Sequence, residues 1–303
     1  MTTRRMSHLT HPKGPPLPPE DLDQAASRRS RRSTRVTVRA FDKTGFRDRP
    51  DRVTAEEPLE IRLEGADRER PLAVTMRTPG SDFELVGGWL LAEGLASTPE
   101  DIAGLRYCVD RNLGEEQRYN VVTVRLRRPA PQVAVDRNFL TTSACGVCGR
   151  ASVEGLSLRG CPRPEMARRL SSELLLGLPG KLADAQAQFR STGGLHAAAL
   201  FDADGELVCL REDVGRHNAL DKVVGWAALE RRLPLADHIV MLSGRTSFEL
   251  VQKSVVAGIP VVCSVSAPSS LAIDVADAYG ITLVGFLRGE RFNVYAGMER
   301  ITR

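Results

Sequence analysis

The sequence predicts an α/β protein, α+β over the whole chain, with a smaller mixed-sheet unit followed by a larger unit of alternating strands and helices. Three observations predict it. From Gly193 onward, short apolar runs alternate with amphipathic stretches, the pattern of a sheet covered on both faces by helices. Between residues 36 and 140, strand-like runs dominate around one clear helix. The apolar fraction of 42% and the charged fraction of 26% are ordinary globular values, and 303 residues suffice for a core without disulfides or metal.

The first 35 residues are polar, Pro-rich and basic, and are read as a disordered tail. Residues 1–40 hold nine Lys or Arg against three Asp or Glu, so the net charge of +4 belongs to this tail and not to the body. The run Arg28, Arg29, Arg31, Arg32, Arg35 reads as a solvated arm, and no nucleic-acid-binding motif follows it. No apolar run reaches the length of a membrane span, and the N-terminus lacks the apolar stretch of a secretory signal. The expectation is a soluble cytoplasmic protein with neither a nucleic-acid nor a membrane partner.

Residues 36–140 form the expected N-terminal α+β domain. Its strands are read at Val36–Phe41, Leu59–Leu63, Leu72–Met76, Leu105–Val109 and Tyr119–Leu126. Its helix is read at Asp82–Leu95, with Ser81 and Glu84 in capping-box spacing and Phe83, Val86, Leu90 and Leu91 on one face. Residues 141–164 form a loop and linker. Residues 165–303 form the C-terminal domain. Helices are read there at Glu165–Leu176 and Lys181–Phe189, followed by a hairpin of Leu195–Phe201 and Glu206–Leu210. Helix Arg216–Arg232 places Leu220, Val223, Val224, Ala227 and Ala228 on one face. Then come strand His238–Leu242, helix Ser247–Ala257, strand Pro260–Val265, helix Ser269–Tyr279, strand Ile281–Phe286 and an edge strand Phe292–Tyr295, implying a largely parallel sheet.

The sharpest chemical feature is TTSACGVCGRAS, a small, polar loop carrying Cys145 and Cys148. A structural zinc needs four ligands, and the chain has no second CxxC and no His at finger spacing, though two chains pooling their pairs would suffice. A thioredoxin role expects the motif at the start of a helix in an N-terminal βαβ unit. The preferred reading is a pair of reactive thiols. Backbone N–H groups and Arg150 favour thiolate, the nucleophile that collects sulfur, and the second thiol can discharge a persulfide held by the first. Cys209 and Cys263 read as apolar strand residues.

Three strand–helix junctions form the second feature: EDVGRHN with Arg216 and His217, SGRTS with Ser243, Gly244 and Arg245, and SAPSS. Helix N-termini gathered at one sheet edge favour anions, and the arginines and His217 can pair with phosphate oxygens; ordinary helix capping explains any one junction alone. Walker A and GxGxxG motifs are absent. His196, in GGLHAAAL, resembles the ligand segment of zinc nucleobase deaminases. That chemistry needs a Glu two residues on, where Ala198 stands, and a PCxxC. His196 is therefore read as a satisfied, half-buried histidine, with contact to a ligand as the lesser alternative.

SACGVCG, GGLHAAALFD, EDVGRHNALDKVVG, SGRTSFELVQKSVVAGIP and SAPSSLAIDVADAYGITLVGFLRGERFNVY together resemble the FdhD family of sulfur carriers required for formate dehydrogenase activity. The resemblance spans about residues 36 to 297. It implies a cytidine-deaminase-like C-terminal domain and a cytoplasmic homodimer. It implies that sulfur comes from a cysteine desulfurase, is carried as a cysteine persulfide and goes to the molybdenum cofactor before insertion into the formate dehydrogenase catalytic subunit. Cys145 becomes the persulfide carrier beside Cys148. The cofactor, molybdenum bis(molybdopterin guanine dinucleotide), is bound as substrate by Phe286, Leu287, Arg288, Gly289, Glu290 and Arg291, with no permanent metal. The alternative is a non-catalytic chaperone for cofactor and apo-enzyme whose CxxC is structural or zinc-bound.

Overall fold

A computed structural model describes residues 32–65, 69–108, 118–129, 139–140 and 161–303, and its architecture is mixed α/β. Strand β1 (Ser33–Asp42) begins three residues before the expected run and pairs with β2 (Gly45–Thr54), which the apolar pattern does not signal. The β2 sequence GFRDRPDRVT is half charged and contains Pro50. Among the described residues this strand pairs on one side only, the setting in which a strand tolerates proline. The Asp42 carboxylate accepts the Thr44 N–H at 2.8 Å, and Gly45 at φ 116 completes the tight turn. No residue of this hairpin is buried.

A second sheet runs β5-β6-β3-β4-β7, from β3 (Glu57–Glu64), β4 (Glu69–Arg77), β5 (Ile102–Tyr107), β6 (Val121–Leu126) and β7 (Phe139–Leu140). Leu59, Ile61, Val122 and Val124 share a buried cluster with Phe83, Val86 and Leu90 of α1 (Asp82–Glu93). Ser81 does not cap that helix. It sits at φ 57, ψ 34 with no side-chain bond to the first turn, so the capping box is not formed. Glu84 is held instead by Arg211, whose Nη2 lies 2.6 Å from Oε1.

The helix expected at Glu165–Leu176 is displaced. Residues 161–169 have no regular structure, and α2 spans Ser172–Ala185. Just before it, β8 (Leu170–Ser171) pairs with β15 (Ile301–Thr302), and Ser171 Oγ accepts the Leu174 N–H at 3.1 Å. A ladder followed by a side-chain cap sets the helix start, and Pro162 and Pro164 disfavour helical backbone in the residues preceding them. The stretch read as one helix, Lys181–Phe189, is the end of α2, a break at Gln186 and a short α3 (Ala187–Thr192).

The main sheet has the order β10-β9-β11-β12-β13-β14. Its strands are β9 (His196–Phe201), β10 (Leu207–Asp213), β11 (Ile239–Leu242), β12 (Val261–Ser264), β13 (Thr282–Arg288) and β14 (Arg291–Ala296). Only β11, β12 and β13 run parallel; β9, β10 and β14 join antiparallel, so the sheet is less parallel than the helix–strand alternation suggests. The reason is local: β9–β10 and β13–β14 are hairpins, whose short turns permit only antiparallel pairing.

Alternate residues serve the two faces. Ala198, Leu200, Val240, Leu242 and Val262 pack under α4 (Arg216–Leu229), α5 (Phe248–Ala257) and α6 (Ser270–Tyr279). Ala199, Phe201, Met241 and Cys263 pack on Leu175, Leu178 and Leu182 of α2. Helix α1 crosses α4 backbone to backbone: a Cβ on Gly225 would lie 1.7 Å from Glu84 O, and one on Gly88 would lie 2.0 Å from Asp221 O. One buried apolar cluster therefore runs from the β3 sheet through α1 and α4 to the main sheet. No helix among the described residues is long and apolar enough to cross a membrane.

Candidate functional site

The parallel strands β11, β12 and β13 end at one edge, and the chain is stitched together there. After β11, Thr246 N–H donates to Ala267 O at 3.2 Å, and Ser269 N–H donates to Thr246 O at 2.9 Å, joining the SGRTS and SAPSS loops. Phe286 N–H donates to Ser266 O at 3.1 Å, tying the end of β13 to the same loop. Ser243 Oγ accepts the Ala197 N–H at 2.8 Å, so the loop is also fastened to β9. His217 Nε2 lies 2.8 Å from Glu249 Oε2 and 3.0 Å from Ser247 Oγ, linking the starts of α4 and α5. The His217 hydrogen bond holds the Glu249 carboxyl below its ordinary range.

Thus Arg216, His217, Ser243, Gly244 and Arg245 occupy junctions of one edge, and Phe286–Arg288, Gly289, Glu290 and Arg291 form the end of β13 and the turn into β14 at the same edge. Leu287 is buried in the core under α2, so only its backbone can face a ligand. Phe286 sits at φ 52, and the Arg288 guanidinium lies 5.7 Å from its ring centroid. Gly285 beside it has no room for a side chain: a Cβ would lie 2.9 Å from the Tyr295 ring and 3.0 Å from Ser266 O. Arg245, Arg288 and Arg291 are exposed. Arg216 differs. Its Nε is buried and meets no hydrogen-bond acceptor among the described residues.

His196 stands at the start of β9, with its ring over Gly244, where a Cβ would be 3.3 Å from Nδ1. Burial, then the charges of Arg216 and His217, hold its pKa below the ordinary histidine value, with Asp213 opposing them.

Behind this edge lies a buried polar clasp that sequence reasoning missed. Asp213 Oδ2 is 2.6 Å from Lys222 Nζ and accepts the Thr78 N–H at 3.1 Å; its Oδ1 accepts from Gly215 N–H and Asn218 Nδ2. Lys222 Nζ donates to Thr78 O at 2.9 Å, and Asn218 Nδ2 to Met76 O at 2.8 Å. The clasp fastens the end of β4 to the start of α4. Its partners are more than 130 residues apart in sequence, so no local pattern announces it. A cavity of about 300 Å³ lies beside it, lined among others by Thr78, Gly80, Glu212 and Lys222, and by none of the edge residues above.

Cys145 and Cys148 lie outside the described residues. Among the described residues no cluster of His, Cys, Asp or Glu could hold a metal ion. Cys209 and Cys263 are buried in strands, and burial pushes their thiols up to about 11 and about 12, so neither supplies a thiolate.

Comparison with known proteins gives the following. The FdhD/NarQ family profile matches residues 54–302. A sulfur carrier protein FdhD from Mycobacterium tuberculosis is 52% identical over 262 residues, covering 84% of this chain and 93% of that protein. One from Nocardia farcinica is 48% identical over 274 residues, covering 89% and 96%. A protein of the same name from Sulfurisphaera tokodaii is 46% identical over 251 residues, covering 83% and 92%. A crystal structure of a formate dehydrogenase accessory protein from Desulfotalea psychrophila superposes with a TM-score of 0.68 at 25% identity, covering 89% of this chain and 99% of that one.

Proposed function

The chain belongs to the FdhD/NarQ family, and from that premise we propose that it is a sulfur carrier serving formate dehydrogenase. Cys145 receives sulfur from a cysteine desulfurase as a persulfide. The sulfur passes to the molybdenum cofactor in its bis-guanine-dinucleotide form, a bound substrate, before the cofactor enters the catalytic subunit. The work is cytoplasmic and done by a homodimer.

The reading is carried by one path through the backbone. Leu140, five residues before Cys145, pairs in parallel with Val74 of β4. The chain continues in that direction through the end of β4 to residue 78, and the clasp binds residues 75, 76 and 78 to Asp213, Val214 and Asn218 at the start of α4. Five residues of chain reach at most about 18 Å. The tether thus starts from the strand that the clasp fastens to the start of α4, which supports a thiol working at that edge. The arginines and helix starts of that edge suit the pyrophosphates of the cofactor.

The chemistry follows from two thiols three residues apart. The Cys148 thiolate attacks Sγ of Cys145, a new S–S bond forms as the persulfide bond breaks, and the outer sulfur leaves as hydrosulfide. The resulting disulfide needs a dithiol reductant before the next cycle. In an assay that activates apo-formate dehydrogenase, Cys145→Ala is expected to abolish activation and Cys148→Ala to slow it. Full activation by the double variant would leave only the chaperone role.

A further inference from the structure

His196 pairs across the β9–β10 ladder with Asp213, three residues before Arg216, so both residues belong to the same edge. The ring nitrogens of His196 meet no hydrogen-bond partner among the described residues, although the residue is half-buried and its ring lies against Gly244. The half-buried part of its sequence reading holds. Arg216 Nε is likewise buried without an acceptor. Thr246 Oγ1 of the same edge is also buried without a partner among the described residues, whereas His217 pairs with Glu249 and Ser247, Ser243 with Ala197, and Asp213 with Lys222.

The titratable and charged groups that face His196 are Arg216 and His217 from α4 and Asp213 from β10; the loop after β11 presents Gly244 to its ring. Asp213 is already neutralised by Lys222 at 2.6 Å. Burial first, and then the Arg216 and His217 charges, disfavour the imidazolium in the free protein. An anion seated on Arg216 reverses that balance.

We propose that His196 is a proton-coupled anion receptor, taking up one proton from solvent when a phosphate group of the ligand settles beside Arg216. The proton bonds to the free ring nitrogen, and the imidazolium then donates to the phosphate beside the Arg216 Nε–H. No other bond changes. This rests on the reading of the edge as the site of a phosphate-bearing cofactor. It adds that binding strengthens as pH falls, by up to about tenfold per pH unit between the free and bound values of His196.

The test is a histidine-ring NMR titration against pH of the full chain, with and without saturating guanosine diphosphate as probe. The chain has five histidines, and His196→Gln identifies the resonance by its loss. The expected result is an upward shift of at least about one pH unit in the His196 midpoint on saturation, since one unit corresponds to the tenfold linkage above. Calorimetry in buffers of different ionisation heat should show proton uptake by the wild type beyond that of His196→Gln. Binding with an unmoved His196 midpoint would overturn the inference and leave the cofactor site standing. Failure of the probe to bind would overturn both.

Discussion

At the scale of single residues, the polar groups that organise the site are buried and paired over long sequence distances. Lys253 Nζ lies 2.7 Å from Asp221 Oδ1, both buried beneath α5 and α4. Burial pushes the Asp221 carboxyl up to about 6 even though Lys253 pulls the other way. Its folded value lies above its unfolded one, so ionising it weakens the fold as pH rises through that window. Lys253→Met removes the partner and should cost about 3–5 kcal/mol at about pH 8. The cost should shrink as pH falls and Asp221 protonates. Urea unfolding at several pH values measures this; a pH-independent loss would mean that Lys253 acts through packing alone. None of these pairs was legible in sequence. An Asp or Lys inside an amphipathic helix reads as part of its solvated face, and the clasp of Asp213, Asn218 and Lys222 is visible only once β4 lies against α4. Arg216 and His217 were legible as candidates because a basic pair at a helix start carries its own local reason.

At the scale of elements, the crossing of α1 and α4 decides how the two sheets share a core. Gly88→Ala and Gly225→Ala each drive a methyl into backbone carbonyl oxygen, which no rotamer change can relieve. Each should destabilise by about 3 kcal/mol or more, at or beyond the upper end for overpacking. Gly87→Ala is the control: its nearest neighbour would be Gly225 Cα at 3.8 Å, an ordinary contact, so the gain of up to about 1 kcal/mol in helix propensity should survive. Thermal melts of the three variants check this, and equal losses at Gly87 and Gly88 would contradict the crossing. The strands and helices after Gly193 were legible because each carries its own period. Strand β2 was not, since an exposed hairpin strand needs no apolar alternation. The start of α2 was not, since it is set by pairing with Ile301–Thr302, far away in the chain.

At the scale of the molecule, the segment before residue 32 and the hairpin after it should separate in their effects. Deleting residues 1–31 should shift Tm by less than about 2 °C, because a polar, basic segment has little apolar area to bury. Deleting residues 1–42 removes β1 and leaves β2 without its ladder, so the hairpin should be lost and exposed to proteolysis. A large fall in Tm for the shorter deletion would show that the tail packs. The alternation of strands and helices made the fold class legible, while the mixed direction of the main sheet depends on where its hairpins sit. The central claim, that sulfur travels on the CxxC pair, is tested most directly by intact-protein mass spectrometry after incubation with a cysteine desulfurase and cysteine. The expected result is a reductant-sensitive gain of about 32 Da, one sulfur atom, that maps to Cys145, persists longer in Cys148→Ala and is absent from Cys145→Ala. A wild-type chain that gains no sulfur while the desulfurase turns over would contradict it.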